Sequence, residues 1–251
     1  MEYGICSLNL VPVRQEANKE SPMTNQLLFG EFFKVLENRK HWSRIRNSYD
    51  GDEGWIPKLQ YHQIDKETYE FLEHIGEKKY TADLISYVSG KKGGLTPILL
   101  GSCMDGAAVL SVQHEGSLSG GKQDRNALVS TALLYLNAPE LMGGKTPFGL
   151  DAAGLAQMVY RINGHYLQRS VAQQAAQGTA LSFVEESAPG DLAFFDDAQG
   201  NIDHVGLIME NNYIVHVHGK VRVDRLDHTG IFNNEDRRYT HQLRVIKKII
   251  P

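Results

Sequence analysis

The run Gly143-Gly144-Lys145-Thr146-Pro147-Phe148-Gly149-Leu150-Asp151-Ala152-Ala153-Gly154 constrains this chain more tightly than any other stretch. Its glycines and proline interrupt any regular element before Leu150. Asp151 then stands where a helix N-cap should stand. Leu155, Met158, Val159 and Ile162 follow at helical spacing, and Asn163-Gly164 closes the helix. The spacing predicts a loop turning directly into a helix over 152–163. A side chain in the first turn of such a helix feels the positive end of the dipole, which pushes a thiol toward thiolate. Ala152 occupies that position, and it has no nucleophile, no proton to give and no metal-ligand atom.

At 251 residues the chain can hold one large domain or two to three small ones. Apolar content of 41% and charged content of 22% are those of an ordinary folded protein. The net charge is −4 and no basic cluster stands out beyond Lys247-Lys248, so no nucleic-acid partner is expected. No apolar run approaches the roughly 20 residues of a membrane helix, so no membrane partner is expected. The start, Met1-Glu2-Tyr3-Gly4-Ile5-Cys6, lacks a basic n-region and a long apolar h-region and reads as a strand. A cytoplasmic location is the expectation. Cys6 and Cys103 are too few for a disulfide framework and read as buried, inert thiols.

Residues 1–60 read as short strands: Gly4–Val11, Gln26–Leu28, Glu31–Glu37, Trp42–Arg46 and Gly54–Pro57. An Asp-Gly-tipped hairpin closing on Gly54-Trp55-Ile56 is a small β-barrel signal. Trp55 is either a core residue or the lining of a peptide groove. Residues 61–120 are less legible, with strands at Tyr80–Val88 and Pro97–Leu100, a loop over 90–94, and Gly116–Gly121 as a linker. Their length fits a second, diverged barrel. From 121 to 251 helices at Arg125–Leu136, Ala152–Asn163 and Val171–Gln177 precede strands at Asp191–Phe195, His204–Met209, Tyr213–His218, Val221–Asp224 and Gln242–Ile249. Helices packed on an antiparallel sheet make this an α+β arrangement. Gly143-Gly144-Lys145-Thr146 lacks the upstream glycine of a phosphate loop.

Three pieces align: the loop and helix of 143–154, Asp203-His204-Val205-Gly206 opening a strand, and Val215-His216-Val217-His218-Gly219 on the next. A helix-borne nucleophile, a strand histidine and a group that orients it make a Cys-His-X triad. On these residues, with Pro189-Gly190-Asp191-Leu192-Ala193-Phe194-Phe195 and Ile214–Asp224, the chain resembles the NlpC/p60 cysteine peptidases. It is most similar to those that carry N-terminal bacterial SH3 (SH3b) domains and cleave murein peptides. Val11-Pro12-Val13-Arg14 and Leu27-Leu28-Phe29-Gly30-Glu31 resemble the SH3b part. The resemblance implies a papain-like NlpC/p60 domain over 121–251, preceded by SH3-like barrels at 1–60 and 61–120.

The resemblance places the nucleophile at Ala152, the base at His204 and the orienting residue at His216. It also implies a pocket for the amine of an N-terminal L-alanine, formed by the helix Asp, a Ser and the Asp of an Arg-Asp pair. Asp151 remains, Ala153 replaces the Ser, and Arg169-Ser170 replaces Arg-Asp. Glu140 and Met142 stand where the family has aromatics. Differences spread over 140, 142, 152, 153 and 170 are more than one engineered change would leave. They point to a catalytically inactive homologue, a pseudo-enzyme that binds a murein-derived peptide or a related small ligand, or regulates a protein partner, with SH3b faces as a further interaction surface. The alternative is a cysteine-type γ-D-glutamyl-L-diamino acid endopeptidase of cell-wall peptide recycling, true if Ala152 is not native. No cofactor is expected. No metal is expected either, because no His/Cys/Asp spacing specifies one, although His204, His216 and His218 with Asp203 nearby could hold zinc.

Overall fold

The computed structural model describes residues 2–91 and 93–250. Met1, Pro251 and Lys92 of the expected 90–94 loop lie outside them. The chain forms two compact units, one of residues 1–121 with 142–147, the other of 122–141 with 148–251.

Alternating apolar residues in the first unit produce short strands. They are β1 (Glu2–Ile5), β2 (Leu10–Arg14), β3 (Met23–Leu28), β4 (Phe32–Asn38), β5 (Trp42–Asn47), β6 (Glu53–Pro57) and β7 (His62–Ile64). They form one antiparallel sheet in the order β3-β2-β6-β5-β4-β1-β7. In β5, Ser43, Ile45 and Asn47 point inward while Arg44 and Arg46 point out. Val11, Val13, Leu27, Phe33, Ile45 and Ile56 fill the core. The expected strand Gly4–Val11 is two strands, because Cys6 exchanges backbone hydrogen bonds with Gly30 and Glu31. Trp55 is buried with the Arg39 guanidinium 4.3 Å from its ring centroid, so it packs as a core residue. Cys6 and Cys103 are both free and buried, and burial pushes the Cys6 thiol up to about 12.

Next comes α1 (Lys66–His74), which the sequence reading missed. Asp65 caps it through the Thr68 N–H, and only Tyr69 and Leu72 are buried, against Tyr3, Ile5, Phe32 and Ile64. The unit continues with β8 (Lys79–Thr81), β9 (Ile85–Gly90), β10 (Leu95–Leu99), β11 (Val112–Glu115) and β12 (Leu118–Gly120). They pair as β10-β9-β11 and β12-β8. The expected strand Tyr80–Val88 is broken because Thr81 turns to bond Ser102 and Leu99. The expected linker Gly116–Gly121 instead contains β12. Strand β13 (Lys145–Thr146) also belongs here. The Lys145 ammonium lies 2.9 and 3.1 Å from the Glu31 carboxylate oxygens. Both side chains are buried, at 0% and 1% exposure. Glu31 also accepts the Leu28 N–H, and Gln26 accepts the Lys145 N–H.

The second unit contains α2 (Arg125–Leu133), β14 (Gly149–Leu150), α3 (Ala152–Ile162) and α4 (Val171–Ala175). Strands β15 (Thr179–Leu181), β16 (Leu192–Asp196), β17 (Ile202–Met209), β18 (Tyr213–His218), β19 (Lys220–Leu226), β20 (Gly230–Asn233) and β21 (Arg238–Lys248) follow. The order β15-β21-β16-β17-β18-β19-β20, with β20 also pairing with β21, closes six strands into a barrel and leaves β15 on its rim. Strand alternation sends Phe195, Ile208, Ile214, Leu226, Ile231 and Ile246 into one end of the interior. Helix α3 packs on β17 and β18. Arg125 staples α2 to Asp191 at 2.8 Å. The architecture is the expected α+β one: helices on an antiparallel sheet, with SH3-like β-structure ahead of it. Among the described residues no helix is long and apolar enough to cross a membrane.

The buried Lys145–Glu31 pair makes a stability prediction. Lys145→Met should cost about 3–5 kcal/mol by removing the ammonium paired with the buried Glu31 carboxylate. Adding Glu31→Gln should recover much of that loss. Urea unfolding of the two variants checks it, and equal stability of Lys145→Met and the parent would remove the pair from the account.

Candidate functional site

At the start of α3, Asp151 adopts an extended backbone, and its carboxylate accepts the Gly154 N–H at 2.6 Å. The same carboxylate is gripped by both ends of the Arg169 guanidinium, at 3.0 and 2.8 Å. Ala152 opens the helix, half-buried, and Ala153 is buried. Gln174 donates to the Ala153 and Gln168 carbonyls and so fixes α4 to α3. Ser170 is the N-cap of α4, in a reciprocal capping box with Gln173. Glu140, which stands where the family has an aromatic, accepts the Gly219 N–H at 2.7 Å. Met142 is exposed and lies in the segment assigned to the first unit.

The strands bring the two predicted histidines together. Gly206 of β17 pairs with His216 of β18, so His204 and His216 share one face. Their rings meet through His204 Nε2 and His216 Nδ1 at 3.1 Å. On its other side His216 Nε2 lies 3.0 Å from Asp224 Oδ2 of β19. Asp224 is held in turn by Arg222, Nε to Oδ2 at 2.6 Å and Nη2 to Oδ1 at 3.2 Å. Arg222 also donates to Asn233 of β20. The barrel interior therefore has an apolar end and a polar end, the latter organised as His204–His216–Asp224–Arg222. Since Asp224 can only accept, His216 donates from Nε2 and accepts at Nδ1, and His204 donates from Nε2.

Burial, reinforced by its histidine neighbours, holds His204 well below the ordinary imidazole value. Burial also lowers His216, against the opposing pull of Asp224. Burial alone would raise Asp224, but hydrogen bonds from His216 and Arg222 outweigh it and keep the carboxyl below its usual range. The neutral imidazoles thus rest on an ionised acid.

Sequence reading missed three residues of this cluster. Asp224 and Arg222 alternate on β19 with Leu226, a pattern that could have placed them inside. His241 of β21 stacks on His204 with ring centroids 4.0 Å apart and planes 20° apart. Burial and the neighbouring histidines pull it down to about 4. Asp203, named as a possible metal neighbour, faces outward.

Comparison with known proteins agrees with this architecture. Residues 139–239 match the NlpC/P60 family model, and residues 13–60 match the model of the bacterial dipeptidyl-peptidase SH3 domain. The chain therefore has a stretch similar to the NlpC/P60 family, preceded by one similar to a bacterial SH3 domain. It is 24% identical over 235 residues to a gamma-D-glutamyl-L-lysine dipeptidyl-peptidase of Bacillus subtilis (strain 168), covering 85% of this chain and 74% of the relative. It is 25% identical over 236 residues to the protein of that name from Bacillus cereus (strain ATCC 10987 / NRS 248), covering 80% and 68%. The crystal structure of an NlpC/P60 family protein from Bacillus cereus ATCC 10987 shares the fold, with a TM-score of 0.80 at 14% identity over 99% of this chain and 100% of that one.

Unfolding returns the buried histidines to about 6.5, so below that pH the unfolded chain binds more protons than the folded one. Their depressed folded values make the stability complete above about pH 6.5 and progressively lost as the pH falls toward those values. Each contributes a slope of at most about 1.4 kcal/mol per pH unit in that window. Urea midpoints measured in chelator-containing buffer should therefore fall between pH 7 and 5, and should fall less in His241→Phe. A flat profile would contradict neutral, buried imidazoles.

Proposed function

We propose that this chain is a catalytically silent NlpC/P60 homologue that binds a murein-derived peptide or related small ligand, or regulates a protein partner. The observation that carries the reading is Ala152 at the first position of α3. Acyl transfer by this chemistry needs a thiolate there, a base to take its proton and an acyl-enzyme to form. The His204–His216–Asp224–Arg222 chain holds the unprotonated His204 Nδ1 as such a base would be held, but nothing at 152 can be deprotonated. The amine pocket is altered as well. Asp151 is neutralised by Arg169, Ser170 is engaged in capping α4, and Ala153 carries no hydroxyl. The five strands β8–β12 support reading residues 61–120 as a second, diverged SH3b-like barrel, and the SH3b faces as a surface for a partner.

The purified chain should release no L-Ala-γ-D-Glu from a murein tri- or tetrapeptide at any pH. Turnover that survives chelation and dies on alkylation would favour the cysteine-type γ-D-glutamyl-L-diamino acid endopeptidase instead. Calorimetric titration with L-Ala-γ-D-Glu-diaminopimelate should give affinity no better than roughly millimolar, about 4 kcal/mol. Micromolar binding would show that the altered walls still hold that peptide.

Reversion separates the loss of the nucleophile from the loss of the pocket. Ala152→Cys puts a thiol at the N-terminus of α3, and it should react with iodoacetamide faster than buried Cys6 or Cys103. Hydrolysis should stay poor, because the scissile carbonyl must also be held in line. Adding Ala153→Ser and Ser170→Asp should raise kcat/KM by about ten- to a thousandfold if each restored hydrogen bond contributes roughly 1–2 kcal/mol. Asp is as good an N-cap as Ser, so α4 should tolerate the change. Full activity from Ala152→Cys alone would show the pocket to be sufficient as it stands.

A further inference from the structure

The polar end of the barrel holds more histidine than a proton relay uses. His204 and His216 suffice for the relay, yet His241 is brought to them from β21. One nitrogen from each of the three rings lies within 4.8 Å of the others. The geometry points to a metal site: His204, His216 and His241 bind one zinc-class ion, with Asp224 fixing His216 from behind and a fourth position left for water or an anionic ligand group.

The distances favour it. Ligand nitrogens at 2.0–2.1 Å from a tetrahedral zinc are about 3.3 Å apart. His204 Nε2 and His216 Nδ1 are already 3.1 Å apart. His241 Nδ1 is 2.9 Å from Thr240 Oγ1, which assigns Nε2 as its ligand atom. Ligation requires this half-exposed ring to turn out of its stack on His204, where the planes are 20° apart, so that its lone pair converges with those of the other two imidazoles. The outer partners are those a ligating histidine needs: His216 gives its other N–H to Asp224, and Arg222 braces Asp224 from the far side. An all-imidazole face suits zinc, copper or nickel and not magnesium or calcium, which demand oxygen. His218 is a neighbour, its ring centroid 5.3 Å from that of His241, and is not assigned as a ligand.

Binding rearranges one proton. His204 now donates from Nε2 to His216. To ligate through Nε2 it must carry its proton on Nδ1, so the ring changes tautomer through solvent exchange and no net proton is lost. His216 keeps its Nε2 proton on Asp224. A metal here occupies the two nitrogens that a peptidase relay would join. The site therefore goes beyond the reading as a silent homologue and is tested without any hydrolysis assay.

The full-length chain, stripped with chelator and titrated calorimetrically with zinc chloride, should bind one equivalent with submicromolar affinity. His241→Phe keeps the stacked ring and the volume but removes the ligand. It should weaken binding by at least about a hundredfold, more than the ten- to hundredfold expected of an outer-shell change such as Asp224→Asn. Nitrogen-15 spectra of the histidine rings should show His204 passing from the Nε2–H to the Nδ1–H tautomer on zinc addition, while His218→Ala binds as the parent does. Circular dichroism establishes that each variant is folded. Absence of submicromolar binding, unchanged affinity in His241→Phe, or a His204 tautomer that does not move would each overturn the assignment.

Discussion

A fully buried imidazole must find a partner for each ring nitrogen, and the polar half of the second unit follows from how His216 does so. One side faces His204 and the other Asp224. Asp224 in turn could not stay ionised inside a barrel without Arg222, whose fork closes on both of its oxygens. The obligation is passed outward from residue to residue until it reaches Asn233 and, at the rim, exposed Glu235. Only there does water take over. The apolar half carries no such debt, since Ile208, Ile214, Leu226 and Ile231 need nothing beyond contact.

The start of α3 shows the reverse process, in which groups suited to a ligand are absorbed by the fold. Asp151 caps its own helix and is neutralised by Arg169. Ser170 caps the next helix. Ala152 and Ala153 each raise helix propensity over Cys and Ser by a few tenths of a kcal/mol. Local stability and catalytic readiness compete at such a site, and here the observed contacts favour stability.

Local patterns were legible and closures were not. The strand Tyr213–His218 is where its alternation put it, and α3 ends one residue before the expected Asn163. Both are set by side-chain periodicity and a cap. The predicted His204–His216 meeting follows from two adjacent strands joined by a short turn. His241 is different: it reaches His204 only because β20 and β21 pair and close the barrel, a contact that no window of sequence contains. Its position just before the predicted start of the last strand hid it further. Helix α1 was missed because it is polar over most of its surface, although Tyr69 and Leu72 stand three residues apart on one face behind the Asp65 cap. The Gly116–Gly121 run misled in the other direction, since its composition suggests a linker while Leu118–Gly120 finds a strand to pair with.

Lys145 carries a consequence for the order in which this chain can be made. Its ammonium is the counter-charge of Glu31, yet it lies 114 residues further along the chain. As the chain leaves the ribosome, the strands around Glu31 can pair as soon as they emerge. The buried Glu31 carboxylate must then stay protonated or solvated until β13 arrives. The first unit is therefore finished late, after α2 of the second has been synthesised. A nascent chain halted before Lys145 would hold the Glu31 sheet before the ammonium that pairs with it has been made.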